Sequence, residues 1–237
     1  MTTPLPTNEA KRIEALRRYE ILDTAPEQVF DDYAFLASTI CQTPIALMSL
    51  VDADRQWFKA RVGLDATETP REYAFCAHTI LGTDVMIVED ATHDPRLSNN
   101  PLVTGAPDIR FYAGAPLIDG EGNGLGSLCV IDSKPRTLSK EQNDSLQALA
   151  RQLISQLELR RTSAELASAL SDIKTLQGLL PICAHCKEVR DDSGFWHSVE
   201  SYVSTHTDAT FSHGICPDCV KIHFPAVYEG LYAKGKA

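Results

Sequence analysis

The chain opens with two stretches whose apolar residues recur at the three- and four-residue spacing of a helix. The first stretch follows Asn8, a candidate N-cap, and ends before a turn at residues 23–26. Its apolar stripe comprises Ile13, Leu16, Ile21 and Leu22. The second stretch runs from about Glu27 to Cys41. The pattern therefore predicts two amphipathic helices ahead of any strand.

After Cys41 the pattern changes to the alternation and short apolar runs that are typical of strands. Strands are predicted at residues 45–51, 56–62, 85–89, 111–118 and 126–131. Polar turns at 52–55 and 119–124 join two pairs of strands into hairpins. A short helix at 75–81 and a long Pro- and Asn-rich loop at 93–107 lie between them. We therefore expect an α+β fold in which helices pack on the faces of a mainly antiparallel sheet.

One long helix is predicted over residues 139–180, because this stretch contains no Pro and only one Gly, Gly178. Its apolar residues recur mostly at three and four: Leu146, Leu149, Leu153, Leu157, Leu166, Leu170, Ile173 and Leu180. Such a helix would be roughly 60 Å long, which is more than one globular domain can cover. Part of the stripe, which the polar residues 160–163 interrupt, therefore needs a partner helix. We predict a parallel homodimer; the alternative is a helix that only connects two domains.

Two Cys-x-x-Cys pairs lie near the C-terminus, Cys183 with Cys186 and Cys216 with Cys219. Each pair can present two thiolates from a tight turn, and the two turns together supply the four-sulfur shell of a structural zinc site. We therefore predict Zn²⁺ held by these four cysteines in a small C-terminal domain. Iron also suits four thiolates, and His213 is an alternative ligand for one position. Disulfides are the remaining alternative, although they are rare in reducing compartments.

Composition and charge narrow the class of protein. The 237 residues are 43% hydrophobic and 23% charged, which suits one sizeable core and a smaller second unit. The formal net charge of −10 argues against direct binding to nucleic acid, since phosphate backbones attract clustered Lys and Arg. The first residues lack the pattern of a secretory signal, and no window reaches the roughly 18 apolar residues of a membrane helix. We therefore expect a cytoplasmic protein that does not bind a membrane.

Several segments resemble the GAF domains of bacterial signalling proteins over roughly residues 8–160. The resemblance is carried by ILDTAPEQVFDDYAFLA, PIALMSLVDADRQWFKARVGL, FCAHTI, VEDATHDPRLSNNPLV and IRFYAGAPLIDGEGNGLGSLCVID. It implies a central antiparallel sheet of five or six strands, with the N- and C-terminal helices on one face. A small-molecule pocket, or its vestige, is implied on the other face. In such proteins the last helix usually continues into a signalling helix that drives an output domain.

The resemblance and the cysteine pairs together predict three parts. A GAF sensory domain occupies residues 1–138, a signalling helix that the GAF domain shares at its start occupies 139–180, and a small zinc-binding tail occupies 181–237. The tail is similar to a short metal-ribbon-like tail found after sensory and receiver domains of bacterial regulators. We expect the segment 194–196, which contains Phe195 and Trp196, to supply its small core together with Val199 and Tyr202.

Seven residues are candidates for binding a ligand in the presumed pocket: Trp57, Phe75, Cys76, His78, Asp90, Arg110 and Tyr112. Arg110 with Asp90 suits an anionic or aromatic ligand; the alternative is that Arg110 pairs with Asp90 or Asp94 and only pins the loop. Cys76 and His78 are close enough in sequence for a metal pair or an imidazole-activated thiolate, although both residue types are often simply buried. Trp57 and its neighbour Phe58 must point to opposite faces of their strand.

These observations predict a non-enzymatic cytoplasmic regulator of bacterial signal transduction. Its GAF domain would bind a small ligand or a partner protein and alter the paired helix, with the tail as a metal-stabilised docking module. The alternative from another class is a thiol-based redox sensor or reductase that uses Cys76 or the tail pairs. A third hypothesis is a structural adaptor whose pocket is filled by its own side chains. The sequence names neither the ligand nor the output partner.

Overall fold

The structure is a computed structural model, and it describes residues 5–177 and 180–232. The chain divides into two compact units, Met1–Ser168 and Ala169–Ala237. Residues 178 and 179 of the predicted long helix lie outside the described part. Within the described ranges, no helix combines the length and the apolar character needed to cross a bilayer.

The first unit begins with two helices and continues into a sheet. The elements that begin in it are, in chain order, α1 (Glu9–Arg18), α2 (Gln28–Cys41), β1 (Ile45–Val51), β2 (Arg55–Val62), β3 (Glu68–Pro70), a 3₁₀ turn (Arg71–Tyr73), α3 (Cys76–Thr79), β4 (Met86–Val88), α4 (Pro101–Thr104), β5 (Phe111–Ile118), β6 (Gly124–Asp132) and α5 (Lys140–Gln177). The last of them, α5, continues past Ser168 into the second unit. Ile21 and Leu22 lie after α1 rather than in it, because Glu20 and Asp23 adopt left-handed backbone conformations. Both apolar side chains still pack against the core.

Six strands form one antiparallel sheet in the order β3-β2-β1-β6-β5-β4. The predicted α+β fold is thus confirmed. β3 is absent from the prediction because Glu-Thr-Pro shows no apolar alternation; it forms by pairing with β2. The loop predicted at 93–107 contains the short helix α4, whose N-cap Asn100 accepts a hydrogen bond from the backbone N–H of Leu102.

Alternation along the strands sends side chains into two cores, one on each face of the sheet. The helix-side core lies under α1, α2 and the first half of α5, and includes Leu16, Phe30, Met48, Trp57, Phe111, Leu128 and Leu153. The loop-side core lies under α3, α4 and the loops around them, and includes Leu47, Phe58, Phe75, Leu97, Tyr112 and Cys129. Trp57 and Phe58 therefore belong to different cores, as the strand period requires.

A buried ammonium group ties β2 to the start of α2 and to α5. Nζ of Lys59 donates hydrogen bonds to Oε1 of Glu27, the hydroxyl of Thr24 and the carbonyl of Ala25, each at 2.7 Å. The Lys59 side chain is fully buried. Nε of Arg160, in α5, donates to the same Glu27 oxygen at 3.3 Å. The sheet and the long helix therefore share one carboxylate.

The predicted long helix is confirmed. α5 contains 38 residues, which corresponds to a length of about 57 Å. Its first half packs on the sheet through buried leucines such as Leu146, Leu153 and Leu157. From Leu159 onward the pattern reverses, since Leu159, Leu166 and Leu170 are 60%, 59% and 51% exposed. Leu159, Leu166 and Leu170 thus form an apolar stripe that the described part of the chain leaves uncovered.

The second unit is small and irregular. It contains β7 (Val189–Arg190) and β8 (Trp196–His197), which pair as a two-residue ladder, followed by α6 (Val199–His206), α7 (Pro217–His223) and α8 (Pro225–Tyr232). Val189 is the one buried residue among those described in this unit. The expectation of a core built from Phe195, Trp196, Val199 and Tyr202 is wrong. Phe195, Trp196 and Val199 are 40% to 68% exposed, and Tyr202 is only half-buried, because elements this short do not enclose them.

Candidate functional site

The loop-side core contains a cavity of about 300 Å³ between the sheet and the loops that carry α3 and α4. Its walls are mainly apolar, with Leu47, Phe58, Phe75, Leu102, Ile109 and Ile131 among them. No charged side chain is among the residues that line it. Its size and character suit a small molecule of limited polarity.

The strand pattern explains why the cavity lies here. Residues at alternate positions of β1, β2, β5 and β6 face the loop side, where Leu47, Phe58, Tyr112 and Ile131 form the floor. Helix α3 is one turn long and α4 is equally short, so loops rather than long helices cover this face. Short elements and loops fill the face less completely than α1, α2 and α5 fill the opposite one.

Two polar side chains line the cavity without the hydrogen bonds that buried groups normally have. Gln56 in β2 and Thr69 in β3 are direct cross-strand partners. Oε1 of Gln56 and Oγ1 of Thr69 are buried, and neither has a hydrogen-bond partner. Leaving a buried polar atom unpaired costs about 1–3 kcal/mol. Both oxygens are therefore available to bond with a polar group that enters the cavity.

The thiol of Cys76 lies in another part of the cavity wall. The Tyr112 hydroxyl donates a hydrogen bond to the Cys76 Sγ at 3.4 Å, and Sγ of Cys129 lies 3.8 Å from it. The same hydroxyl shares a hydrogen bond of 2.6 Å with Oγ1 of Thr79. Burial opposes ionisation of Cys76, but hydrogen bonding with Cys129, Ser127, Ser49 and Tyr112 outweighs it and lowers the pKa of this thiol below its usual range. The hydrogen bond to Cys76, together with burial, raises the pKa of Cys129.

Three of the seven predicted ligand residues line the cavity: Phe75, Cys76 and Tyr112. Trp57 does not, because it points into the helix-side core while Phe58 takes the cavity position. His78 is half-buried outside the cavity wall, where burial and the nearby Arg96 lower its pKa. The thiol of Cys76 bonds to Tyr112 and Cys129 rather than to His78, so the predicted thiol–imidazole pair is not formed.

Asp90 and Arg110 also lie outside the cavity wall. Asp90 accepts hydrogen bonds from the backbone and hydroxyl of Thr92, which together lower its pKa. Arg110 donates to the carbonyl of Val103 at 2.9 Å. The guanidinium of Arg110 therefore holds the loop in place, as one of the two alternatives predicted. It does so by bonding to a backbone carbonyl and not by pairing with Asp90 or Asp94.

The important residues absent from the prediction are Gln56, Phe58, Thr69 and Cys129. Gln56 and Phe58 share a strand face, and the alternation of β2 was sufficient to place both opposite Trp57. Thr69 carries no such signal, since β3 is too short and polar to be recognised. Cys129 lies in an apolar strand, where a cysteine usually indicates packing alone.

Each tail cysteine pair forms a local turn. Backbone N–H groups of Cys186 and His185 donate to the Cys183 sulfur, and these contacts lower the pKa of Cys183. Cys216 is the N-cap of α7, and the N–H of Cys219 lowers its pKa in the same way. The second cysteine of each pair has the opposite shift, because the neighbouring sulfur of Cys183 raises the pKa of Cys186 and that of Cys216 raises the pKa of Cys219.

The structure does not join the two pairs into one cluster. Among residues 5–177 and 180–232, no group of three or more His, Cys, Asp or Glu side chains is arranged to hold a metal ion. The four cysteines supply the right donor chemistry for zinc, but the tetrahedral arrangement is not formed between the turns. The zinc site therefore stays a prediction.

A six-stranded antiparallel sheet with long helices on one face and a loop-covered cavity on the other defines an α+β domain of the kind that encloses small molecules. The family is then shown by sequence, since the model of the GAF domain matches residues 25–157. The chain belongs to the GAF family. GAF domains bind small ligands and are mostly sensory.

The chain is similar to a cyclic di-GMP phosphodiesterase from Pseudomonas aeruginosa, with 45% identity over 163 residues. This alignment covers 68% of the chain but only 28% of that relative's length. A solved GAF domain from an Acinetobacter phosphoenolpyruvate-protein phosphotransferase is 15% identical, covers 67% of this chain and 97% of that one, and has a TM-score of 0.49. A domain assigned to a sensor histidine kinase of Sinorhizobium meliloti is 21% identical, covers 62% and 99%, and has a TM-score of 0.46.

Proposed function

We propose that the chain is a non-enzymatic sensory protein of bacterial signal transduction whose GAF domain binds an uncharged small molecule in the loop-side cavity. The observation that carries this proposal is the combination of an apolar cavity with two unpaired polar atoms, on Gln56 and Thr69. A ligand with an apolar body and a hydrogen-bonding edge would satisfy both features. Its N–H or O–H group would donate to the Gln56 oxygen.

The charge of the ligand follows from the cavity wall. An ionised group enclosed by apolar side chains with no countercharge loses its hydration without compensation. No Asp, Glu, Lys, Arg or His side chain lines the cavity, and the lowered pKa of Cys76 favours a negative charge in its wall, so an anion is disfavoured. Cyclic di-GMP, named in the Pseudomonas aeruginosa relative, carries two phosphodiester charges and is therefore not the ligand that we propose here. Any connection of this chain to cyclic di-GMP would be made by a signalling partner.

The signal would leave through α5. Gln56 and Phe58 face the cavity from β2, and Lys59 on the opposite face of the same strand bonds to Glu27. Glu27 in turn bonds to Arg160 in α5. A ligand that displaces β2 would thus change the position of α5 through the carboxylate of Glu27, which Lys59 and Arg160 share. The hydrogen bonds that join Lys59, Glu27 and Arg160 would provide the continuous contact between β2 and α5 that a conformational signal requires.

We propose that the second half of α5 pairs with the same helix of a second chain in parallel. Leu159 and Leu166 are seven residues apart, and Leu170 follows at four, so the three exposed leucines lie on one side of the helix. An exposed apolar stripe of this kind is the usual seam of a two-helix coiled coil. A change in either subunit could then be passed to an output partner in the cytoplasm.

The tail is proposed to be a docking module held together by Zn²⁺ on Cys183, Cys186, Cys216 and Cys219. The second unit buries one described residue, Val189, so packing alone gives it little stability. A metal ion is a common substitute for a core in units of this size. The exposed Trp196 nearby offers an apolar contact for a partner protein.

A matched pair of dyes tests the ligand proposal. N-phenyl-1-naphthylamine is uncharged, and 1-anilinonaphthalene-8-sulfonate has the same aromatic framework with an added sulfonate. We expect the uncharged dye to bind the full chain about tenfold or more tightly than the anionic dye, as measured by fluorescence titration. Cyclic di-GMP should not displace it.

Variants locate the bound dye. Ala66 is exposed at the rim of the cavity, so Ala66→Trp should block entry without disturbing either core. Ala53, which is exposed in the turn between β1 and β2, gives the matched control Ala53→Trp. Equal affinity for the two dyes would contradict the charge argument. Binding that survives Ala66→Trp would place the dye outside the cavity and contradict the site.

A further inference from the structure

We infer that Cys76 and Cys129 form a reversible disulfide when a hydroperoxide enters the loop-side cavity, so that the cavity wall responds to oxidant as well as to ligand. The two thiols lie side by side, with an Sγ–Sγ distance of 3.8 Å. They are 53 residues apart in sequence, and the fold alone brings them together. Cys76 lines the cavity, which gives a small oxidant a route to one sulfur.

The backbones of the two cysteines are held to different degrees. Cys129 lies in the middle of β6 and pairs with Leu47 in β1 and Gly114 in β5, so its backbone is fixed on both sides. Cys76 is the first residue of α3, a helix of four residues. The sulfur on the short helix can therefore approach the sulfur on the sheet with less disruption than the reverse movement.

Their chemical settings also differ. The Tyr112 hydroxyl donates to the Cys76 sulfur at 3.4 Å, and the two thiols share a hydrogen bond. These contacts favour a negative charge on Cys76, whose pKa is lowered, and disfavour it on Cys129, whose pKa is raised. Cys76 lines the cavity and Cys129 does not. Since an oxidant in the cavity meets Cys76 and the thiolate is the nucleophile, Cys76 is the sulfur that reacts first and Cys129 the one that resolves it.

The reaction balances with hydrogen peroxide as the oxidant. The Cys76 thiolate attacks one peroxide oxygen, the O–O bond breaks, and the second oxygen leaves as hydroxide and takes up a proton to become water. The sulfur of Cys129 then attacks the Cys76 sulfenic acid; the S–S bond forms, the S–O bond breaks, and a second water leaves with the Cys129 proton. Two thiols lose two electrons in total, and the peroxide gains them.

Oxidation would change the shape of the cavity. A disulfide has an S–S length of about 2.05 Å, so the sulfurs must approach by about 1.8 Å from their present separation. Phe75 and Cys76 both line the cavity at the start of α3. Moving this wall toward the sheet would narrow the space for a ligand, and reduction would restore it.

Peptide mapping of the full chain tests the inference. The reduced protein is treated with hydrogen peroxide and quenched in acid to stop thiol exchange. It is then denatured in the presence of N-ethylmaleimide, which alkylates the remaining free thiols, and digested. We expect a cross-linked peptide that contains Cys76 and Cys129, and we expect dithiothreitol to remove it. Since this result needs no variant, it does not depend on how a substitution affects folding.

Variants assign the two roles. In Cys129→Ser, dimedone should trap a sulfenic acid on Cys76; in Cys76→Ser, it should leave Cys129 unlabelled. Cys41→Ser is the matched control, because Cys41 is buried in the helix-side core and burial raises its pKa to about 11. Two outcomes would overturn the inference: both thiols free after peroxide has oxidised the tail cysteines, or both overoxidised without a cross-link.

Discussion

Lys59 in β2 and Arg160 in α5 donate hydrogen bonds to the same oxygen, Oε1 of Glu27, at 2.7 and 3.3 Å. The Lys59 side chain has no exposed surface, whereas Glu27 and Arg160 are partly exposed. The carboxylate therefore neutralises a buried charge on one side and holds helix α5 on the other. Burial would raise the pKa of Glu27, but the hydrogen bonds from Lys59 and Arg160 lower it.

Glu27→Gln should destabilise the protein more than Lys59→Met. The glutamine leaves the buried ammonium without its countercharge, a change that typically costs about 3–5 kcal/mol in a buried ion pair. Because Glu27 is partly exposed, we expect a loss of about 2 kcal/mol here. Methionine removes the buried charge and keeps an apolar chain beside Phe30, which Lys59 now contacts. Urea denaturation followed by circular dichroism measures both; a larger loss for Lys59→Met would contradict the argument.

Gln56→Met should stabilise the ligand-free protein. The buried Gln56 oxygen has no hydrogen-bond partner, and an apolar side chain of similar size removes that cost of about 1 kcal/mol. Gln142 provides the matched control, because its amide donates to the carbonyl of Ile40 and accepts from the N–H of Ser139. Gln142→Met should therefore lower the free energy of unfolding. If both substitutions lower it equally, Gln56 has a partner within the protein.

The contribution of Glu9 to stability should depend on pH. Burial would raise the pKa of Glu9, but hydrogen bonds from Arg12 and Arg71 lower it to about 2, below its usual 4.5. A depressed pKa in the folded state means that the stabilisation is complete above pH 4.5 and declines as pH falls toward 2. The difference in unfolding free energy between wild type and Glu9→Gln should shrink over this window. Urea denaturation at several pH values measures this difference, and a difference that does not change with pH would contradict the low pKa of Glu9.

Local patterning was sufficient to predict much of the fold. The predicted strands at 45–51 and 111–118 match β1 and β5 residue for residue, because both are apolar runs bounded by clear turn signals. β3 could not be found this way, since it exists only by pairing with β2. Strand alternation likewise required Trp57 and Phe58 to face opposite sides, but it did not tell which side held the cavity.

The site was harder to predict than the fold, because its contacts join distant segments. Cys76 meets Cys129 across 53 residues, and no local pattern connects the two. Arg110 and Asp90 were chosen for their charge, yet both serve the loop and leave the cavity uncharged. Charged residues are easy to recognise in a sequence. An apolar cavity is indicated only by the alternation of apolar residues along the strands that line it.

Leu166→Asp should weaken self-association through α5. A carboxylate in the seam of a coiled coil must be desolvated beside its counterpart, so we expect the variant to be monomeric at concentrations at which the wild type is dimeric. Ser168→Asp is the control, because two residues further along the helix turn the side chain about 200° away from the leucine stripe. Sedimentation velocity measures both. A wild type that is monomeric throughout the concentration range would contradict the predicted dimer.

Metal removal should unfold the second unit and leave the first intact. Elemental analysis should find one zinc ion per wild-type chain and none in Cys183→Ser/Cys216→Ser, whereas Cys41→Ser and His213→Ala should retain it. Since the described part of this unit buries only Val189, we expect binding of the predicted ion to supply most of its folding free energy. A chelator should therefore make the four tail thiols reactive toward alkylation while the GAF domain keeps its thermal transition. If the bound metal is iron, the predicted four-thiolate site is correct and the predicted identity of the ion is wrong. Four free tail thiols with no bound metal would contradict the zinc site. That result would instead favour the alternative in which these cysteines act in a thiol-based redox sensor or reductase.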